Sequence, residues 1–95
     1  MLIIITIPAY NEEETLPAVL HEIKTEMAKT KYKYKVLVVD DESRDKTSLV
    51  AKKMGALVVR KRHSGLLETF KAEMKECLRL KADIIVHTDA DGQYP

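Results

Sequence analysis

The chain has 95 residues, a charged fraction of 33% and a net charge of +1 at neutral pH. That length suffices for one small domain, and the balanced charge argues against nucleic acid as a partner. No apolar run approaches the roughly 20 residues of a transmembrane helix, and the opening "MLIIITIPAYN" lacks the basic leader of a secretory signal. Cys77 is the single cysteine and cannot form an internal disulfide, so we expect a reducing, cytoplasmic location.

Four short apolar runs alternate with three helical patterns along the chain. The runs lie at residues 2–7 and within "YKVLVVDD", "ALVVR" and "DIIVHT". Continuous apolar runs of this length are typical of strands that are covered on both faces of a parallel sheet. The order β-α-β-α-β-α-β with short connections predicts right-handed crossovers. We therefore expect a Rossmann-like parallel sheet with helices on both faces and the strand order 3-2-1-4.

Helical spacing predicts which face of each helix packs on the sheet. The first helix has the apolar stripe Leu16, Val19, Leu20, Ile23 and Met27. A start at Asn11 would place Pro17 inside this helix, where it breaks a hydrogen bond, so we predict a start near Leu16 with Thr15 as the cap. The second helix should use Leu49, Val50 and Met54 and end at Gly55. The third should be capped by Ser64 and use Leu67, Phe70, Met74, Cys77 and Leu78.

The segments that follow the strands are rich in acids. They are "PAYNEEE", "DDES", "RKRHSG" and "DADGQ", and ligands of such sheets bind beyond the carboxyl ends of the strands. Converging carboxylates repel each other, and Mg²⁺ or Mn²⁺ bound to oxygen ligands and phosphate would relieve that repulsion. We predict that Asp89 and Asp91 bind this metal, that Gln93 adds an oxygen, and that Gly92 allows the turn.

The other acids suit the nucleoside end of a diphosphate ligand. Asp40 and Asp41 can accept hydrogen bonds from a base N–H or a ribose hydroxyl. Tyr10 can lie against a base, and Glu12 can bond to one, since a glutamate beside a phosphate would be repelled. One or two cations of "RKRH" could offset phosphate charge.

Plainer structural roles compete with several of these assignments. The acid pair could serve turn chemistry with Ser43, and Glu13 and Glu14 could be solvated residues at the start of a helix. Asp45 is expected to cap a helix rather than bind a ligand. His87, inside a strand, is expected to be a satisfied rim residue rather than a base.

Three segments taken together resemble a known family. "IPAYNEEETLP", "VLVVDDESRDKT" and "DADGQYP" resemble the nucleotide-sugar half of inverting glycosyltransferases of family two, which have the GT-A fold, and look closest to dolichyl-phosphate mannose synthases and other polyprenyl-phosphate glycosyltransferases. The resemblance implies a base and ribose pocket at Pro8, Tyr10 and Glu12, and a base contact at Asp40 with Asp41 nearby. It also implies a diphosphate site at Asp89, Ala90 and Asp91. The metal would be held by Asp89, Asp91 and Gln93. Two departures are Glu42, where the family usually has glycine, and "RKRHSGLLE", where only Gly65 matches a Gly-rich segment.

The resemblance leads to a functional expectation for residues 1–95. They would form the donor-binding portion of a metal-dependent inverting glycosyltransferase, truncated after the Asp-x-Asp motif, with no catalytic residue assigned. The donor would be a nucleotide diphosphate sugar of the GDP-mannose or UDP-glucose type. The acceptor would be a lipid phosphate or a glycan, and a lipid acceptor implies membrane association of the full-length protein.

Other readings stay open at this stage. The chain could be a non-catalytic nucleotide-binding or assembly module of the same fold. A nucleotidyltransferase fits less well because no Gly-rich phosphate loop follows the first strand, and a phospho-acceptor receiver domain would carry its acids after that strand. The apolar fourth strand, if it lies at an edge, predicts self-association of copies around Ile84 to Val86.

Overall fold

The computed structural model describes residues 1–63 and 65–88. The strands are β1 (Leu2–Ala9), β2 (Lys33–Asp40), β3 (Leu57–Arg60) and β4 (Ile84–His87), and the helices are α1 (Leu16–Ala28), α2 (Thr47–Lys53) and α3 (Leu66–Arg79). All described strand pairs are parallel, and the sheet order is β3-β2-β1-β4. The predicted topology is therefore confirmed. None of the described helices is long and apolar enough to cross a membrane.

Helices cover both faces of the sheet, as predicted. On one face α1 and α2 pack against alternate residues of the two central strands, with Ile5, Ile7 and Val38 in the core. On the other face α3 packs through Cys77 against Ile4, Leu37 and Val39. Successive strand residues thus point to opposite apolar layers, which explains why the strand sequences show continuous rather than alternating apolar character.

The first strand and helix begin and end for identifiable reasons. α1 begins at Leu16 with Pro17 in its first turn, as predicted, but Thr15 makes no capping hydrogen bond through its side chain. β1 runs two residues further than the apolar run, through Pro8 to Ala9. Thr88 N–H donates to the carbonyl of Thr6, so the even-numbered residues of β1 direct their polar groups toward β4. The nitrogen of Pro8, which carries no hydrogen, faces the same side, beyond the last residue pair of the β1–β4 ladder.

The predicted faces of α2 and α3 are wrong. In α2, Leu49 and Met54 are exposed, and Thr47 and Ala51 are buried instead. In α3, Leu67, Phe70 and Leu78 are exposed, and the buried face consists of Thr69, Glu73 and Cys77. Cys77 is the one member of the predicted α3 stripe that is fully buried. The predicted cap, Ser64, lies outside the described residues, and Gly65 directly precedes the helix.

Two helices end in the same backbone motif with different residues. After α2, Gly55 has φ +88° and Ala56 N–H donates to the carbonyl of Ala51. After α3, Lys81 has φ +60° and Ala82 N–H donates to the carbonyl of Cys77. Both are left-handed helix ends of the Schellman type, where glycine is the residue without steric cost.

The two helix ends predict effects of opposite sign on the free energy of unfolding. Gly55→Ala should lower the free energy of unfolding by about 1 kcal/mol, because a Cβ is disfavoured at positive φ, although nothing lies within 4 Å of that Cβ. Lys81→Gly should raise it by about 0.5–1 kcal/mol for the same reason. Urea denaturation of both variants and the unchanged protein tests this, and equal shifts in one direction would contradict it.

Candidate functional site

The loops that follow β1 and β2 at the carboxyl edge of the sheet are joined to each other by hydrogen bonds. Asn11 N–H donates to Ser43 Oγ at 2.8 Å, and Arg44 N–H donates to Asn11 Oδ1 at 2.8 Å. Glu12 N–H donates to Thr47 Oγ1 at 2.9 Å. These bonds are possible because β1 and β2 end level with each other, with Ala9 opposite Asp40. The loops "YNEEE" and "DESRD" therefore form one structural unit.

Each of these loops contains one residue with left-handed backbone geometry. Asn11 has φ +52° and Glu42 has φ +60°. Asparagine tolerates this region better than other side chains do, whereas glutamate does not. The geometry gives a reason for the glycine that the family usually has at the position of Glu42: the turn requires positive φ, and this chain makes it with a Cβ present.

Asp40 is fully buried at the end of β2. Its Oδ1 accepts a hydrogen bond from Ser43 N–H at 2.9 Å, and its Oδ2 accepts from Ser48 Oγ and from Arg60 at 3.2 Å. Arg60 also donates to the carbonyl of Ser43 at 2.7 Å. Both carboxylate oxygens are thus used to hold the second loop against β3. The predicted contact between Asp40 and a base stays a prediction, and it would require Ser48 or Arg60 to move aside.

Asp41 lies beside Asp40 but faces the loop after β3. Lys61 Nζ is 2.8 Å from its Oδ1, and His63 Nδ1 is 2.7 Å from its Oδ2. The ring of His63 in turn lies against the ring of Tyr10, with centroids 5.0 Å apart. Tyr10 is exposed, and Asp41 keeps a small exposed fraction of 7%. The structure therefore brings Tyr10, Asp41 and His63 together at an accessible place.

The acids between β1 and α1 divide into two groups. Glu12 accepts a hydrogen bond from Thr15 Oγ1 at 2.9 Å, and Glu14 is exposed. Glu13 N–H donates to Asp45 Oδ2 at 3.2 Å, and Glu13 accepts from Lys46 N–H at 3.3 Å. Glu13 thus joins the two loops rather than remaining a free solvated side chain.

Asp45 lies one residue before Lys46, the cap position of α2, so the predicted cap is displaced by one residue, but the Asp45 side chain still bonds to the first helical residue. Its Oδ1 accepts hydrogen bonds from the amide and the hydroxyl of Thr47, and its Oδ2 accepts from the amide of Glu13. Burial raises the pKa of Asp45, but these hydrogen bonds to the carboxylate outweigh burial, and the pKa lies below its ordinary value of 3.8.

Four of the nine predicted site residues lie outside the described residues: Asp89, Ala90, Asp91 and Gln93 fall after residue 88. Pro8 is half-buried in β1, at the base of the loop that carries Tyr10. Within residues 1–63 and 65–88, no group of three or more acidic, histidine or cysteine side chains is placed to hold a metal. A depression of about 750 Å³ lies near Lys24, Tyr34 and Lys53 and contains none of the predicted site residues.

Several residues that hold this edge together were not predicted. Ser48 and Arg60 bind Asp40, Lys61 binds Asp41, and Asn11 joins the two loops. The sequence signal that could have predicted these pairs is the acidic segment "DDES" after one strand and the basic segment "RKRH" at the end of the next. A phosphate contact by part of "RKRH" stays a prediction, and the described contacts place Arg60 against Asp40, and Lys61 and His63 against Asp41.

Comparison with known proteins identifies the family. The model of the family described as Glycosyl transferase family 2 matches residues 4–95. The chain belongs to this family. The predicted family is therefore confirmed, and so is the predicted fold, since GT-A glycosyltransferase structures share this sheet and helix arrangement.

Curated relatives and a solved structure agree with that membership. An uncharacterized protein of Methanocaldococcus jannaschii, MJ1222, is 40% identical over 93 residues, covering 97% of this chain and 36% of that protein. An undecaprenyl-phosphate 4-deoxy-4-formamido-L-arabinose transferase of Pseudomonas fluorescens Pf0-1 is 30% identical over 98 residues, covering 96% and 28%. The mannosyltransferase PcManGT of Pyrobaculum calidifontis, solved in complex with GDP-Man and Mn²⁺, superposes with a TM-score of 0.76 at 25% identity, covering 98% and 28%. The chain thus spans about a third of the length of these proteins.

The buried position of Asp40 predicts a large effect on stability. Asp40→Asn should lower the free energy of unfolding by roughly 2–3 kcal/mol, because charged hydrogen bonds are lost and Arg60 loses its partner. Glu26→Gln, which breaks the exposed pair with Lys29, should cost less than about 0.5 kcal/mol. Equal losses for the two variants in urea denaturation would contradict the structural role of Asp40.

The lowered pKa of Asp45 predicts a pH-dependent effect. Since the folded pKa lies below the ordinary 3.8, ionised Asp45 stabilises the fold fully above pH 3.8, and this contribution is lost as the pH falls through the folded pKa. Asp45→Asn should therefore be less stable than the unchanged protein at pH 7, and the difference should shrink below pH 3.8. Urea denaturation at pH 7 and pH 3 measures this, with Glu14→Gln as an exposed control; a difference that grows on acidification would refute it.

Proposed function

We propose that the chain is the donor-binding part of a metal-dependent glycosyltransferase that takes a sugar from a nucleotide diphosphate sugar. The observation that carries the proposal is the carboxyl edge, where two loops are joined by hydrogen bonds and Tyr10, His63 and Asp41 lie in contact. Ligands of open parallel sheets bind at this edge. Family membership and the nucleotide-sugar complex of the mannosyltransferase relative support the same assignment.

The nucleoside would bind between the first and third loops. Tyr10 offers an exposed aromatic face for a base, and Asp41 offers carboxylate oxygens for a base N–H or a ribose hydroxyl. Asp40 has no exposed surface, so we assign it a positioning role beneath Asp41 and assign the ligand contact to Asp41. Glu12 is partly exposed two residues after Tyr10, and we assign it to the same nucleoside end.

The diphosphate would bind toward the end of β4, where the motif of Asp89, Asp91 and Gln93 follows the strand. Carboxylate and amide oxygens are the ligands that Mg²⁺ and Mn²⁺ prefer, so the donor set fits either ion. When bound, the metal would supply positive charge beside the departing diphosphate. Most acids of the first two loops already have partners in this chain, so we expect the metal ligands from 89–93; these acids are Glu12, Glu13, Asp40, Asp41 and Asp45.

The donor and acceptor follow from similarity and chemistry together. We propose GDP-mannose first and UDP-glucose second as donors, because the solved mannosyltransferase contains GDP-Man. The arabinose transferase relative is named for undecaprenyl phosphate, and a polyprenyl phosphate is our proposed acceptor. Such an acceptor is already an anion, which reduces the need for a general base, and it would bring the complete protein to a membrane.

Calorimetry with GDP, GDP-mannose, UDP and UDP-glucose, with and without Mn²⁺, tests the proposal. We expect Mn²⁺ to tighten binding at least tenfold in the unchanged protein and to have no such effect in Asp91→Asn. Asp41→Asn should weaken nucleotide binding both with and without Mn²⁺. Glu68→Gln, an exposed pair residue on α3, is the control that should change nothing. Binding that ignores both Mn²⁺ and the Asp91 substitution would refute the metal role, and no nucleotide binding at all would refute the proposed function.

A further inference from the structure

The face of α3 that packs against the sheet is polar near the end of β4. Its buried residues Thr69, Glu73 and Cys77 are spaced four apart, so they form one row along the helix. The apolar residues Leu67 and Phe70 of the same helix are exposed. A helix that buries a glutamate while exposing leucine and phenylalanine departs from the usual pattern, which raises the question of what Glu73 binds.

Glu73 reaches the last residue of β4. Its carboxylate is 2% exposed, and its Oε2 lies 2.8 Å from His87 Nδ1. The same nitrogen is 2.6 Å from the hydroxyl of Thr6, a fully buried residue of β1. Phe70 covers the imidazole, with ring centroids 5.4 Å apart. His87 is therefore held by β1 on one side and by two residues of α3 on the other.

This contact does not serve stability well. Burial of a carboxylate costs free energy unless its hydrogen bonds are complete. The Oε2 atom of Glu73 has no hydrogen-bond partner within the described residues, although it lies close to His87 Nδ1. A leucine of similar volume at this position would avoid that cost. The contact instead places Glu73 directly against the end of one strand.

The strand end that it fixes is the one before the Asp-x-Asp motif. Thr88 N–H donates to the carbonyl of Thr6 at 3.0 Å, which continues the ladder one residue beyond His87. Among the described residues, the Oγ1 atom of Thr88 is also buried without a hydrogen-bond partner. Asp89 follows directly in the chain. The end of β4 is therefore the last described part of the fold before the motif.

We propose that Glu73 is a positioning residue: together with Thr6 it holds His87 and so fixes the end of β4, the strand that directly precedes Asp89 and Asp91 in the chain. This inference rests on the proposed function for its consequence, but the fixation itself can be measured without any ligand. Residues that orient metal ligands from behind typically change metal affinity 10- to 100-fold when they are replaced.

Amide hydrogen exchange tests the fixation directly. In Glu73→Leu, exchange at the Thr88 amide should accelerate at least tenfold, since local opening of the strand end becomes easier. The amide of Asp83, which donates to the carbonyl of Leu2 at the other end of the same strand pair, should not change. Equal acceleration at both amides would mean general destabilisation, and no acceleration at Thr88 would mean no fixation; either result overturns the inference.

Metal-linked nucleotide binding tests the consequence. The ratio of dissociation constants for GDP without and with Mn²⁺ should fall at least tenfold in Glu73→Leu and about threefold or less in Glu73→Gln, which keeps an acceptor oxygen. Glu76→Gln, on the same helix and paired with Arg79, should leave the ratio unchanged. If the ratio in Glu73→Leu equals that of the unsubstituted protein, the inference is overturned. A ratio of one in the unsubstituted protein would instead refute the proposed metal-dependent function. The hydrogen-exchange result would then decide alone whether Glu73 fixes the strand end.

Discussion

The level ends of β1 and β2 are the constraint on which the rest of the carboxyl edge depends. Their parallel register places Ala9 opposite Asp40, so the loops that follow emerge side by side and at the same height. Asn11 and Glu12 then bond to the second loop through backbone and side-chain groups. A shift of one residue in this register would turn every strand side chain to the opposite face and separate the loops. The two-sided apolar core therefore fixes the site geometry as well as the fold.

The strand order and the start of α1 could be predicted from the sequence because they depend on strong local signals. Long apolar runs identify buried strands, short connections impose parallel crossovers, and Pro17 excludes an earlier helix start. The binding of Asp45 to the start of α2 was also predictable, since aspartate side chains favour the free amides at a helix start, although the cap position itself is Lys46. Each of these features is decided within a few residues along the chain.

The faces of α2 and α3 could not be predicted in the same way, because spacing shows which residues share a face and not which face the sheet covers. Leu67 and Phe70 form an apolar pattern along α3. The sheet residues that face this helix near the carboxyl edge are the polar Thr6 and His87. Glu73 matches these polar groups, so the buried face is the polar one. The pairing of Asp40 with Arg60 was hidden for a related reason: the two residues are 20 positions apart and meet only because β2 and β3 are neighbours.

The charges of the edge show how a ligand with a negative diphosphate could approach a site rich in acids. Asp40 and Asp41 are not bare carboxylates, because Arg60 at the end of β3 and Lys61 and His63 after it lie against them. These contacts lower the repulsion between the acids at the end of β2 without a divalent ion. The proposed metal would then serve the diphosphate rather than the nucleoside. This division would match the two ends of a nucleotide sugar, since the base and ribose are uncharged and the diphosphate is not.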